Sequence, residues 1–180
     1  QRIADMDTIV KAVEETGLSP ARTILRSLSY ANGTLYFAGS SVKQKYVYGI
    51  DWEAEQEDFK KLTFIDGGAE FNTLKNGIYI SEPVAAKLQA RVHDDVLLEL
   101  YSRTGQRNTQ KFIVKGIIKD SSIFGFYKCF IDRTYLNQLS GMDTRECSSI
   151  GLFFENTDNL FEKSIKLHEA LKGKLPLAQP

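Results

Sequence analysis

From Asn76 to Leu139 the chain switches repeatedly between the two-residue apolar period of a strand and the longer period of a helix, in the order strand, short helix, β-hairpin, strand, helix. The stretch carries an ordered set of structural signatures and no catalytic one. Gly77–Ile80 reads as a strand. Ser81 is a good N-cap, and Pro83 suits the first helical turn, where its missing N–H costs nothing, so a helix is expected to run to about Leu88. Val96–Tyr101 and Lys111–Ile118 are rich in β-branched and aromatic residues and flank a polar loop, Ser102–Gln110, the pattern of a hairpin. Tyr127–Ile131 is a further strand, Asp132 can cap a helix reaching Leu139, and Ser148–Phe154 returns as a strand.

The flanking segments extend the pattern. Met6, Ile9, Val10 and Val13 fall at helical spacing within Asp5–Thr16, and Gly17 suits the left-handed C-cap that would end that helix. Thr23–Tyr30 and Thr34–Ala38 flank Asn32-Gly33, whose tolerance of positive φ predicts a tight hairpin turn. Lys45–Ile50 is another strand, Trp52–Leu62 a short helix, and Asp66-Gly67-Gly68 a turn or loop. A last helix over about Asp158–Lys172 lines up Phe161, Ile165, Leu167 and Leu171 ahead of a stop at Gly173.

Bulk properties exclude several function classes. With 180 residues and 42% hydrophobic content the chain can bury a core of its own, as one domain or two small subdomains. Lys plus Arg and Asp plus Glu both number 23, so no overall field draws the protein to nucleic acid or to an anionic surface. Apolar runs such as Tyr46–Ile50, Ile123–Tyr127 and Ile150–Phe154 fall far below the roughly 20 residues of a membrane-crossing helix. The chain opens at Gln1 and shows no signal-peptide pattern, which suggests a fragment of a longer chain or a processed one. Cys129 and Cys147 match no zinc-site spacing, and their apolar surroundings favour buried free thiols over a bridge.

No catalytic, cofactor-binding or metal site emerges. His93 and His168 form neither H-x-x-x-H nor H-E-x-x-H, and the chain lacks a P-loop, a G-x-S-x-G elbow and a G-x-G-x-x-G loop. Asp51, Glu53, Glu55, Glu57 and Asp58 cluster without the spacing of a calcium loop and read as a solvated helix face. Arg103, Arg107 and Lys111 place positive charge around the expected hairpin tip; they are the candidate partner contact, set against a solvated turn that discourages edge pairing. Asn32-Gly33-Thr34 matches a glycosylation sequon, but the hairpin turn already accounts for it. Tyr30, Tyr36, Phe37, Tyr46 and Tyr48 fit core and cross-strand pairs better than a base-stacking platform.

Four local motifs, in order, carry a family likeness. They are Tyr46-Val47-Tyr48-Gly49-Ile50-Asp51, Phe64-Ile65-Asp66-Gly67-Gly68, the strand-helix unit from Gly77 to Leu88 reading GIYISEPVAAKL, and Phe112-Ile113-Val114-Lys115-Gly116-Ile117. Together they resemble the extracytoplasmic, or periplasmic core, domain of ABC transporter permeases of the FtsX/MacB/LolC kind. That resemblance implies an α+β fold in which 1–58 and 122–180 form a mixed α/β membrane-proximal subdomain and 59–121 a smaller, inserted β-rich one. It also implies a non-catalytic role without cofactors, on the extracytoplasmic side of a bacterial inner membrane. ATP would be hydrolysed by a subunit or domain reached through transmembrane helices outside this sequence, in a dimeric transporter with a possible extracytoplasmic protein partner. Two departures stand out. Val92-His93-Asp94 replaces the family's Val-Gly-Asp, and the Ser102–Gln110 loop is shorter than the cargo-engaging hook of lipoprotein-releasing relatives, so lipoprotein extraction is not implied. Two alternatives belong to other classes: a free-standing secreted binding module with a small β-barrel, and an enzyme whose site spacing does not reveal.

Overall fold

A computed structural model describes residues 3, 6–69, 75–120 and 127–172. Two compact units divide the chain, one formed by Gln1–Leu25 with Arg145–Pro180 and the other by Arg26–Thr144.

The second unit is built on strand alternation. In β1 (Arg22–Phe37) and β2 (Ser40–Ile50) buried and open positions alternate, so one face of each strand must meet a core. The two pair antiparallel, β2 pairs parallel with β7 (Lys128–Asp132), and β7 pairs antiparallel with β4 (Gly77–Ser81). From there β4 pairs parallel with β6 (Arg107–Ile118), β6 antiparallel with β5 (Asp95–Tyr101), and β5 antiparallel with β1. The ring closes into a six-stranded barrel, which leaves none of the six with a free edge along its full length. A short β3 (Phe64–Gly67) adds to β6 beyond the point where β5 leaves it.

Leu35, Val47, Ile78, Leu98, Phe112 and Ile131 fill the barrel with no exposed surface. Each such side chain contributes about 1.5–3 kcal/mol by leaving water. Two helices close the ends. In α3 (Glu82–Leu88) Val84, Ala85 and Leu88 enter the core near the β1–β2 turn, while α4 (Arg133–Ser140) inserts Leu136 and Leu139 beside the β5–β6 turn. Asp132 caps α4 as expected, its Oδ1 accepting from the Tyr135 N–H at 2.9 Å. Ser81 stands at the N-cap of α3, yet its hydroxyl makes no cap bond and instead accepts from the Lys128 N–H at 3.4 Å. Outside the barrel, α2 (Trp52–Lys60) lays Phe59 over a second apolar cluster with Ile50, Tyr79 and Ile118.

In the other unit, α1 (Met6–Glu15) buries Ile9, Ala12 and Val13 and packs with α5 (Leu160–Leu171). Gly17 follows α1 at φ +68°, the left-handed geometry expected of its cap. β8 (Ser149–Phe153) pairs with β1, and Ile3 forms an isolated bridge with Cys147.

Four expectations are corrected. Asn32-Gly33 is not the hairpin turn: β1 runs through it, and Ala31 and Asn32 stand against the single residue Lys45 as a bulge. Gly33 is required there for space, since a Cβ would lie 2.7 Å from Val47 Cγ2 inside the barrel wall. The turn itself is Ala38-Gly39, with φ of +46° and +83°. Asp66 and Gly67 belong to β3 because Ile117 and Gly116 offer them a partner strand. The stripe on α5 splits: Phe161 is 76% exposed and Ile165 44%, and no α5 residue is fully buried. The inserted unit is also the larger one. Boundaries expected at 58/59 and 121/122 fall within Arg26–Thr144, because strands on both sides of them share the barrel. Residues 121 and 122, like the proposed stop at Gly173, lie outside the described residues.

Candidate interaction faces of the barrel

The β5–β6 hairpin holds the three cations singled out above. Its turn is tighter than expected, 102–106, closed by the Ser102 N–H donating to Gln106 O at 2.7 Å. The Arg103 N–H donates to Ser140 O at 3.2 Å, which ties this turn to the end of α4. Arg107 and Lys111 share the outer face of β6, but each is answered from β5: Arg107 by Glu99 at 3.7 Å and Lys111 by Asp95 at 2.9 Å. The face is therefore close to neutral, with Tyr36, Leu97 and Tyr101 as its exposed apolar members. Exposed pairs of this kind are worth about 0–1 kcal/mol each.

A stronger ion pair lies at the foot of α2. Glu55 faces the barrel, its side chain fully buried, and its Oε2 accepts from Arg26 Nε at 2.9 Å and also from the terminal guanidinium nitrogen. Glu55 Oε1 has no hydrogen-bond partner among the described residues. The bond to Glu55 pushes the Arg26 guanidinium above its ordinary value, against the opposing effect of burial. The sequence reading placed Glu55 on a solvated face; 29 residues separate the partners, and no local spacing announces them.

From α2 a continuous file of rings runs out over the barrel wall. Phe59 meets Phe130 edge-on at 5.5 Å, Phe130 stacks on Tyr48 at 5.2 Å, Tyr48 on Tyr46 at 5.7 Å, and Tyr46 leans on Tyr30 at 5.4 Å. Register explains the file. Leu28, Tyr48 and Phe130 form one cross-strand row and Tyr30, Tyr46 and Lys128 the next, all on the outer face. Exposure grows along it, from Phe59 at 3% to Tyr30 at 62%. Burial raises the Tyr48 phenol above its ordinary value.

The remaining sequence candidates have structural occupations. Asp51 caps α2, its Oδ1 accepting from the Ala54 N–H at 3.2 Å. Glu53 and Glu57 lie on the solvent side of α2, Glu57 paired with Lys60 at 2.7 Å and Asp58 with Lys61 at 3.6 Å. His93 takes the positive φ, +76°, that the Val-Gly-Asp pattern would give to glycine, and its N–H donates to Val114 O at 2.8 Å. His168 lies exposed in the last turn of α5. Asn32 donates its side-chain amide to Tyr101 O at 2.7 Å, so the sequon residue bridges β1 to β5. Both cysteines are free and buried, and burial holds the Cys129 thiol far above its ordinary value. Among the described residues no three His, Cys, Asp or Glu side chains converge as a metal set, and no helix is long and apolar enough to cross a membrane. An open groove of about 800 Å³ lies between α3 and β3, lined in part by Phe37, Ile65, Ala86 and Arg91.

No family model and no curated protein sequence matches the chain. Solved structures do. The extracellular domain of YknZ, a noncanonic ABC-type transporter from Gram-positive bacteria, superposes with a TM-score of 0.62 at 16% identity, over 91% of this chain and 82% of that one. The chain has the fold of that domain. The periplasmic region of MacB from Actinobacillus actinomycetemcomitans matches with a TM-score of 0.55 at 17% identity, over 91% of this chain and 72% of that one. The YknZ and MacB likeness is one of architecture, mixed α+β, which agrees with the fold class read from the sequence.

Proposed function

We propose that the chain is the extracytoplasmic domain of an ABC transporter permease of the MacB and YknZ kind, lying outside the cytoplasmic membrane of a bacterium. It passes motion between membrane segments outside this sequence and an extracytoplasmic partner, and carries out no chemistry of its own. ATP is hydrolysed by a separate subunit or domain, and the full transporter is a dimer. One observation carries the reading: 91% of the chain takes the fold of two such transporter domains. The unit made from both chain ends supports it, because a head that transmits force from the membrane needs its two connections in one body. Arg103, Arg107 and Lys111 remain the proposed partner contact, acting through exposed side chains on a pre-paired face rather than as a free positive patch.

The closed barrel favours a second reading, a free-standing secreted binding module, since such barrels are self-sufficient. One experiment separates them. The natural full-length gene product is expressed, fractionated, and probed with protease added outside spheroplasts. A membrane-bound product whose domain is cut only from outside supports the transporter reading. A product released without membrane segments overturns it.

A further inference from the structure

Helix α4 is hydrogen-bonded at both ends to parts of the barrel unit that lie far from it in sequence. Along its body it holds the places where the chain enters and leaves that unit. The chain crosses between the two compact units at Leu25–Arg26 and at Thr144–Arg145. Just inside the first crossing, Ser27 Oγ donates to Asn137 Oδ1 at 2.5 Å. Just inside the second, Asn137 Nδ2 donates to Asp143 O at 2.9 Å and Arg133 Nη1 to Thr144 O at 3.0 Å. One side-chain amide thus grips both crossings, from the helix face that it shares with Arg133. Ser27 and Asn137 have no exposed surface, so water is not at hand to replace the bonds between them if they break. The close approach depends on Gly49, the cross-strand partner of Ser27: a Cβ there would lie 2.9 Å from Leu136 Cδ2 and 3.0 Å from Arg133 Cα.

The last turn of α4 presents carbonyls that have no partner inside the helix. Asn137 O and Gln138 O accept from the Met142 and Gly141 N–H groups at 2.8 and 3.3 Å. Leu139 O and Ser140 O accept from the β5–β6 hairpin, from Asn108 Nδ2 at 2.7 Å and from the Arg103 N–H at 3.2 Å. The hairpin that carries Arg103 and Arg107 therefore caps the helix that holds the two crossings.

We propose that α4 couples the crossings to this hairpin, so that a shift of the chain at either crossing reaches Arg103 and Arg107 at the proposed partner contact. A two-turn helix, about 12 Å long, is too short to absorb the shift by bending. Packed elements of this kind move between discrete arrangements rather than deforming smoothly. The use of the link rests on the transporter reading, which gives the crossings something to transmit; its existence does not.

The test is amide hydrogen exchange of the 180-residue chain, followed residue by residue by NMR, with one bond removed at each end of the link. Ser27→Ala removes the hydroxyl at the first crossing, and Asn108→Ala removes the amide at the hairpin. Val42→Ala, a core truncation beside the β1–β2 turn, controls for a general loss of stability. Circular dichroism matching the parent establishes that each is folded, and either end variant decides the matter if the other does not fold. Ser27→Ala should speed exchange of the distant Arg103 N–H by at least about threefold. In the reverse direction, Asn108→Ala should speed exchange of the Asn137 side-chain amide, held in its bond to Asp143 O, by a similar factor. Val42→Ala should change neither by more than it changes the rest of the core. An Arg103 N–H that exchanges in Ser27→Ala no faster than in the control overturns the proposal, and so does an Asn137 amide indifferent to Asn108→Ala. Either result would leave the transporter reading standing, since that reading fails on the spheroplast experiment instead.

Discussion

Removing Arg26 should harm the fold far more than removing the residue it pairs with. The asymmetry comes from burial: the Arg26 side chain is 43% exposed, whereas that of Glu55 is fully buried and its second oxygen has no described partner. Arg26→Met leaves an ionised carboxylate between α2 and the barrel wall without its cation, a change that costs about 3–5 kcal/mol. Glu55→Leu leaves a guanidinium that water already reaches. It loses a charge-assisted bond worth about 1.5–3 kcal/mol but regains the cost of holding a carboxylate out of water, for a net change within about 1 kcal/mol. The double variant, with Leu against Met, should return to within about 1 kcal/mol of the parent or exceed it. The coupling in the double-mutant cycle is then roughly 3 kcal/mol.

Urea unfolding followed by circular dichroism gives each of these values, and thermal unfolding should show Arg26→Met lowered by about 10 °C at roughly 2–4 °C per kcal/mol. Raising salt to 0.5 M should lower the coupling only in part, since the carboxylate end of the pair is sealed from solvent while the guanidinium is partly exposed. No accessible pH should abolish it through Arg26. Its raised pKa contributes stability that is complete below the ordinary arginine value and is lost only as pH climbs through the folded value above that. Equal costs for the two single variants, or an Arg26→Met cost below about 1 kcal/mol, would show that water reaches the carboxylate and refute the reasoning.

Two further outcomes follow from the backbone and the core. Ala38→Asn creates Asn-Gly in the true β1–β2 turn, where position 38 has φ +46°, and should stabilise the chain by about 0.5–1 kcal/mol in urea unfolding; a loss of stability would count against the primed-turn geometry. Burial raises the Cys129 thiol from an ordinary value of 9.0, so its contribution is complete below that pH and is lost as the unfolded chain ionises above it. Stability should therefore fall more steeply above about pH 9 in the parent than in Cys129→Val, measured by unfolding across pH 7–10.5, and identical slopes would exclude the thiol as a cause.

What could be read from the sequence is what local chemistry determines. Asp132 capping α4, Pro83 opening α3 and the strand-forming content of β5 are decided within a few residues, and each is found where the sequence puts it. Asn32-Gly33 was misleading for a physical reason. Positive φ beside glycine serves a bulge as well as a turn, and only the distant pairing of Gly33 with Leu100 shows which is needed. Three of the four family motifs mark places where the chain is closely approached, since a Cβ at Gly49, Gly67 or Gly116 would lie under 3.0 Å from a neighbouring atom.

The candidate faces were far less legible, and the reason is the closure of the barrel itself. Its ring is completed by β4 against β7 and by β5 against β1, pairings between segments roughly fifty and sixty residues apart in sequence. The β1–β2 and β2–β7 pairings place Leu28 beside Tyr48 and Phe130, and the fold brings Arg26 under Glu55. None of these meetings has a spacing that a pattern could register. A charge count read along α2 treats Glu55 as one of five solvated acids, while the folded chain makes it the only member sealed against the wall. For this architecture the caps and single strands are therefore encoded locally and the make-up of the outer faces non-locally. Substitutions that preserve every local motif can therefore still disturb the fold, as Arg26→Met does by leaving Glu55, 29 residues away, without its cation.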